Sequence, residues 1–183
     1  MRRLSRLTLL VALLACALVA SGCGNRVEIR TQGETEGLYI DIDELKYQIQ
    51  ISRYMNPADV EDRAYFAGLP EGTELGDDET WFGVFIRVSN STEEEIVPAN
   101  EFEILDTQEN TFRPVPLDNE FAYKPEPIPA NSLIPQPDSV ASTSTTQGSL
   151  LLFKVKTTSL QNRPLELRFR RGSGTEAVVD LDI

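Results

Sequence analysis

The sequence predicts an all-β protein, an antiparallel β-sandwich of about seven strands with one short inserted helix. Three observations predict it. Apolar residues recur at every second position in several short runs, the period of a half-buried strand. One run, WFGVFI at residues 81–86, is apolar on both faces and reads as a central strand covered on both sides. Spacers rich in glycine, proline and acids separate the runs and supply turns. Many short strands around a single core make two packed sheets. The sequence carries no internal repeat and no heptad pattern.

The chain opens with Arg2, Arg3 and Arg6, then an apolar run over residues 7–20 broken only by Thr8. As a helix that run spans about 21 Å, short of the roughly 30 Å of a bilayer core. It suits the apolar part of a secretory signal. Ala20, Ser21, Gly22 and Cys23 follow. Small residues before a cleavage site let the chain lie extended in a peptidase groove. This stretch resembles the lipobox of bacterial lipoproteins, with Ala20 where Leu is commoner. The resemblance implies a diacylglycerol on the Cys23 thiol, loss of residues 1–22, and anchorage to the extracytoplasmic face of a cell membrane. The plainer alternative is an ordinary signal peptide with a chance cysteine. Each buried lipid CH₂ contributes about 0.8 kcal/mol, and two chains hold far better than one.

Cutting there leaves 161 of 183 residues, enough for one domain with a real core. It removes three arginines and no acid, so the net charge moves from −12 to −15. Such a surface repels nucleic acid and anionic lipid. The chain has no histidine, and Cys16 leaves with the signal. With Cys23 lipidated, His/Cys zinc sites and Ser-His-Asp or Cys-His catalysis are excluded. Met55 alone cannot make a soft copper site, and no disulfide can form.

Residues 23–37 read as the lipidated cysteine and a flexible tether of about 20 Å, with RVEIR as an alternative edge strand. The domain spans 38–183. Leu38, Ile40 and Ile42 share one face, as do Leu45, Tyr47, Ile49 and Ile51. Asn56 and Pro57 read as N-cap and first residue of NPADVEDRAYF, a short helix or turn crossing between strands. GLPEGTELGDDET is a loop, and NSTEEE a turn after the central strand. EFEILDT and TFRPVPL form a hairpin whose second strand is demoted to an edge by Pro114 and Pro116. Seven of the eleven prolines fall at positions 114–137, and residues 118–147 read as one long loop. Three late strands follow. In the last two, outward arginines of LELRFRR are expected opposite outward aspartates of AVVDLDI.

In this order WFGVFIRVSN, EFEILDTQENTFRPV, GSLLLFKV and LELRF resemble the immunoglobulin-like domain of unknown function found in actinobacterial and other Gram-positive lipoproteins. That group is similar in fold to a small secreted mycobacterial antigen. The resemblance covers residues 38–183 and implies an immunoglobulin-like sandwich with no catalytic residues. The 118–147 segment and the NPADVEDRAYF insertion depart from the group, so a function special to this chain is expected there.

The small ligand that best fits the sequence is calcium, through Asp77, Asp78 and Glu79 in one loop and Glu93, Glu94 and Glu95 in another. Neither run has the spacing of a dedicated calcium loop, and the plainer reading is solvated surface. Trp81 reads as core. Tyr54, Tyr65 and Phe66 flank the insertion and are candidates for an exposed partner surface. Phe121 and Tyr123 either pin the long loop to the domain or belong to that surface. The functional expectation is a non-catalytic, lipid-anchored module that contacts another protein or envelope component and requires no cofactor. A weak calcium or small-ligand module is the alternative.

Overall fold

The computed structural model describes residues 30–182. Two sheets face each other. The first has the order β1 (Gln32–Gly33), β10 (Glu176–Leu181), β9 (Leu165–Arg170), β5 (Glu101–Leu105), β6 (Thr111–Phe112). The second runs β2 (Tyr39–Ile42), β3 (Leu45–Met55), β4 (Glu79–Asn90). On the far side of β4, β8 (Ser149–Lys156) pairs with residues 79–86 and β7 (Ser132–Ile134) with residues 88–90. The seven strands of four or more residues are those the periodicity predicts; β6 is the predicted second strand of the β5 hairpin, cut to two residues, and β1 and β7 are short additions. The β1–β10 pairing is parallel and the others are antiparallel.

The inner faces meet in a core that includes Ile40, Tyr47, Phe82, Val84 and Ile86 from one sheet and Phe102, Ile104, Leu167, Phe169 and Val179 from the other. A second apolar cluster lies on the outer face of the second sheet: Met55, Tyr65, Trp81, Phe85, Phe121, Ala141, Leu150 and Leu152. β4 therefore has two buried faces, as its composition requires. The second cover is built by residues 56–69 and 113–147 together. Asn119 joins them, its side-chain amide donating to the carbonyls of Tyr65 (2.9 Å) and Ala67 (2.8 Å). Gly68, at φ 75°, lies so close to the Asp118 carbonyl that a Cβ would collide with it.

Several expectations are corrected. Residues 118–147 are not a structureless loop; they contain β7 and the short helix α1 (Val140–Thr143), and Tyr123 N–H donates to Leu150 O at 2.9 Å. The reason is the apolar outer face of β4 and β8, which this segment buries. The NPADVEDRAYF insertion takes the turn alternative, with one 3-10 turn at Arg63–Phe66, so the short α-helix lies elsewhere in the described residues. Asn56 does cap, accepting from Ala58 N–H at 3.0 Å, but the buried Asp62 carboxylate then pulls the chain back by accepting from Asn56 N–H at 2.8 Å. Such local bonds compete with a helix.

In β3 the register slips between Ile49 and Ile51. The extra residue inverts the alternation, so Ile51 is 40% exposed while Ser52 is buried. Residues 30–37, read as tether, belong to the domain. Gln32 pairs with Val178, and the Glu36 carboxylate accepts from Ser52 N–H (3.0 Å) and Asp182 N–H (3.1 Å), tying the two sheets. The arginine–aspartate ladder is also different. Glu166 lies opposite Asp180 and Arg168 opposite Val178, while Arg170 reaches Glu101 on β5 at 2.6 Å.

Candidate functional site

A cleft of about 730 Å³ opens on one side of the sandwich, between β5 and β9 and residues 113–125. Its cause is a strand that changes sheets. Thr111 and Phe112 pair with β5 in the first sheet. Pro114 bridges to Phe153, and Val115 N–H donates to Leu152 O at 2.8 Å in the second sheet. Pro114 and Pro116 have no N–H with which to extend the first ladder. β5 is thus covered on that side only at Ile104 and Leu105, and the cleft opens beside residues 101–103.

The floor is apolar, with Phe102, Phe169, Leu151 and Tyr123. Tyr123 stacks edge-on against Phe102 at 5.0 Å and donates its hydroxyl to Ala99 O at 2.8 Å. From the other side Tyr47 Oη accepts from Ala99 N–H at 2.8 Å. Burial pushes the Tyr47 phenol up to about 12 and the Tyr123 phenol well above its ordinary value. Both therefore stay neutral hydrogen-bonding groups that brace the cleft wall.

The rim is charged. Arg170 meets Glu101 at 2.6 Å, and Lys124 meets Asp118 at 2.8 Å. Arg113 is 81% exposed and only 4.0 Å from Glu103. The cleft thus combines an uncovered strand edge, an apolar floor and charges of both signs. That set can hold an extended polypeptide: backbone groups for the edge, apolar side chains for the floor and polar ones for the rim.

The residues singled out from sequence are scattered. Asp77, Asp78 and Glu79 precede or begin β4, and Glu93, Glu94 and Glu95 follow it, about 36 Å apart along a strand of this length. Glu79 is engaged: its carboxylate accepts from Gly76 N–H at 2.8 Å and lies 3.5 Å from Lys154. The Gly76 donor, then the lysine, hold its carboxyl below the usual range. Glu93, Glu94 and Glu95 line a shallow hollow with Glu44 and Arg171. Beneath it the Asn90 side-chain amide donates to the carbonyls of Glu94 (2.7 Å), Ile128 (3.0 Å) and Pro129 (3.1 Å). A nitrogen thus sits where a cation would need those oxygens. Among the described residues no three His, Cys, Asp or Glu side chains converge on a metal position.

The aromatic candidates are mostly internal. Tyr65 and Phe121 are buried and meet ring to ring at 4.6 Å. Phe66 packs on Trp81 at 5.5 Å, and Tyr123 braces the cleft. Tyr65 and Phe66 are therefore corrected from an exposed surface to the second core, and Phe121 takes the loop-pinning alternative there, because each covers part of the outer face of β4. Tyr54 alone of the five is substantially exposed, at 46%. Cys23 lies outside the described residues.

The cleft rim was missed from sequence. Its one legible signal was the pair Pro114 and Pro116, which marks where a strand must leave a ladder.

No protein-family model matches the chain, and no curated protein does. Two solved structures are similar in fold. One is an uncharacterized β-sandwich protein from Clostridium difficile 630, at 11% identity and TM-score 0.47, covering 87% of this chain and 99% of the other. The second is a candidate lipoprotein from Bacillus subtilis, at 12% identity and TM-score 0.48, covering 80% of this chain but only 39% of the other. The likeness is one of β-sandwich architecture alone.

Proposed function

We propose that the chain is a non-catalytic module, held on the extracytoplasmic face of a membrane by a lipid on Cys23, that binds a segment of another envelope protein in the cleft beside β5. The observation that carries the binding role is the sheet change at Arg113–Val115, which leaves residues 101–103 uncovered above an apolar floor. The anchor rests on the Ala20-Ser21-Gly22-Cys23 stretch behind an apolar run too short to span a bilayer. A mature chain without histidine or a free thiol supports a role that is not catalytic. The carboxylates at the rim face arginines, Glu101 with Arg170 and Glu103 with Arg113, which suits recognition better than proton transfer.

Of the two unusual segments, residues 122–125 line the cleft, while residues 56–66 cover the outer face of β4 and do not reach it. Deleting them would expose the second core, so a test must use point changes. A photo-crosslinking residue at position 113 or 124 of the full-length protein, in its own cells, is expected to capture one envelope partner. Ala122→Trp, which fills the cleft, and Arg113→Glu, which alters only the rim, should each reduce capture from position 124 at unchanged melting temperature. Capture indifferent to both changes contradicts the proposal.

A further inference from the structure

We infer that the sandwich stands upright on the membrane, with the end where β1 begins facing the lipid and the β3–β4 crossover facing away. This rests on the lipid anchor proposed above. The chain's point of entry is fixed by hydrogen bonds. Arg30 N–H donates to Asp41 Oδ2 at 3.2 Å, and Arg30 O accepts from Asp41 N–H at 2.6 Å. Thr31 O accepts from Val178 N–H at 3.0 Å. Asp41 lies just before the β2–β3 turn at Asp43 and Glu44, and Val178 just after the β9–β10 turn. Arg171 joins those two turns, 2.9 Å from Asp43. Leu45 pairs with Asn90, which brings residues 91–97 to the same end.

The leash is short. From Cys23 to Arg30 the chain can reach no more than about 25 Å. The far end, with residues 56–78, 106–110 and 157–163, is removed from the near end by the length of β4, about 36 Å. Charge decides between standing and lying flat. The near end carries Asp43, Glu44, Glu93, Glu94 and Glu95 against Arg171. Lying flat would bring far more of a chain whose net charge is −15 without residues 1–22 within the Debye length of about 8 Å from anionic headgroups. Standing on this end brings only its own carboxylates there and keeps those of the far end, Asp77 and Asp78 among them, away. The cleft then opens sideways, toward partners held at the same membrane.

The test uses the lipidated mature protein in phosphatidylglycerol-containing vesicles with a headgroup-attached quencher. Fluorophores are placed singly at Glu94→Cys and Ser173→Cys on the near end and at Asp77→Cys and Gln108→Cys on the far end. Quenching at 94 and 173 is expected to exceed that at 77 and 108 severalfold. Equal or reversed quenching in protein that floats with the vesicles overturns the orientation alone. Protein that does not float, with or without labels, overturns the anchor and the orientation with it.

Discussion

Asp106 shows how one carboxylate organises a turn. It accepts from the backbone N–H groups of Gln108 and Asn110, both at 2.9 Å, and from the side-chain amides of Asn110 (2.8 Å) and Asn162 (3.2 Å). Burial alone would raise its carboxyl, but donors on Asn110 and Asn162 more than reverse this and hold it well below the ordinary range. The folded state therefore gains from the ionised form above the unfolded carboxyl value near 4, and loses that gain as pH falls. Asp106→Asn should cost about 2 kcal/mol at neutral pH in urea unfolding, with the difference shrinking below about pH 4. Asp180 has the opposite sign. Burial first, then Glu166 opposite it, raise its carboxyl, so its ionisation opposes folding above the unfolded value. Asp180→Asn should stabilise by roughly 0.5 kcal/mol at pH 7 and lose that gain in acid. The Glu166–Asp180 pairing was not legible because period-two alternation gives the face of a residue but not its partner across the hairpin.

At the scale of elements, the second core explains what the sequence made look optional. The 81–86 run already required two covers, and only residues 56–69 and 113–147 were long and apolar enough to provide the second. What hid this was composition: prolines and serines read as loop, yet they surround Phe121, Leu117, Val115 and Ala141, which do the covering. Phe121→Ala and Tyr65→Ala should each destabilise by about 3–5 kcal/mol, whereas Tyr54→Ala, at a half-exposed ring, should cost about 1 kcal/mol. Matched denaturation curves read this contrast directly; equal small losses would mean the cover is not packed. Gly68→Ala should also destabilise, since it adds a Cβ against Asp118 at positive φ. The β3 bulge escaped sequence reading for a different reason. Apolar Ile51 continued the pattern of Ile49, and nothing in LKYQIQI marks the residue that inverts it.

Over the whole molecule, the strands, the central run and the sandwich follow from local periodicity, while the cleft does not. A cleft made by a strand that changes sheets depends on pairings between residues far apart in the chain, such as Pro114 with Phe153. Calcium at saturating concentration should move the melting temperature no more than magnesium at equal ionic strength, because both would only screen an acidic surface. A real site filled at 100-fold excess over its dissociation constant would add about 2.7 kcal/mol, and a calcium-only shift of that size would return the acidic loops to the front. The anchor is the claim on which location, orientation and access to the cleft all depend. Its most direct measurement is the intact mass of the mature protein extracted from membranes, alongside Cys23→Ala. The account predicts a chain that begins at Cys23 and carries the added mass of a diacylglycerol, and a Cys23→Ala protein that lacks it. An unmodified Cys23, or a mature chain beginning at another residue, would contradict it.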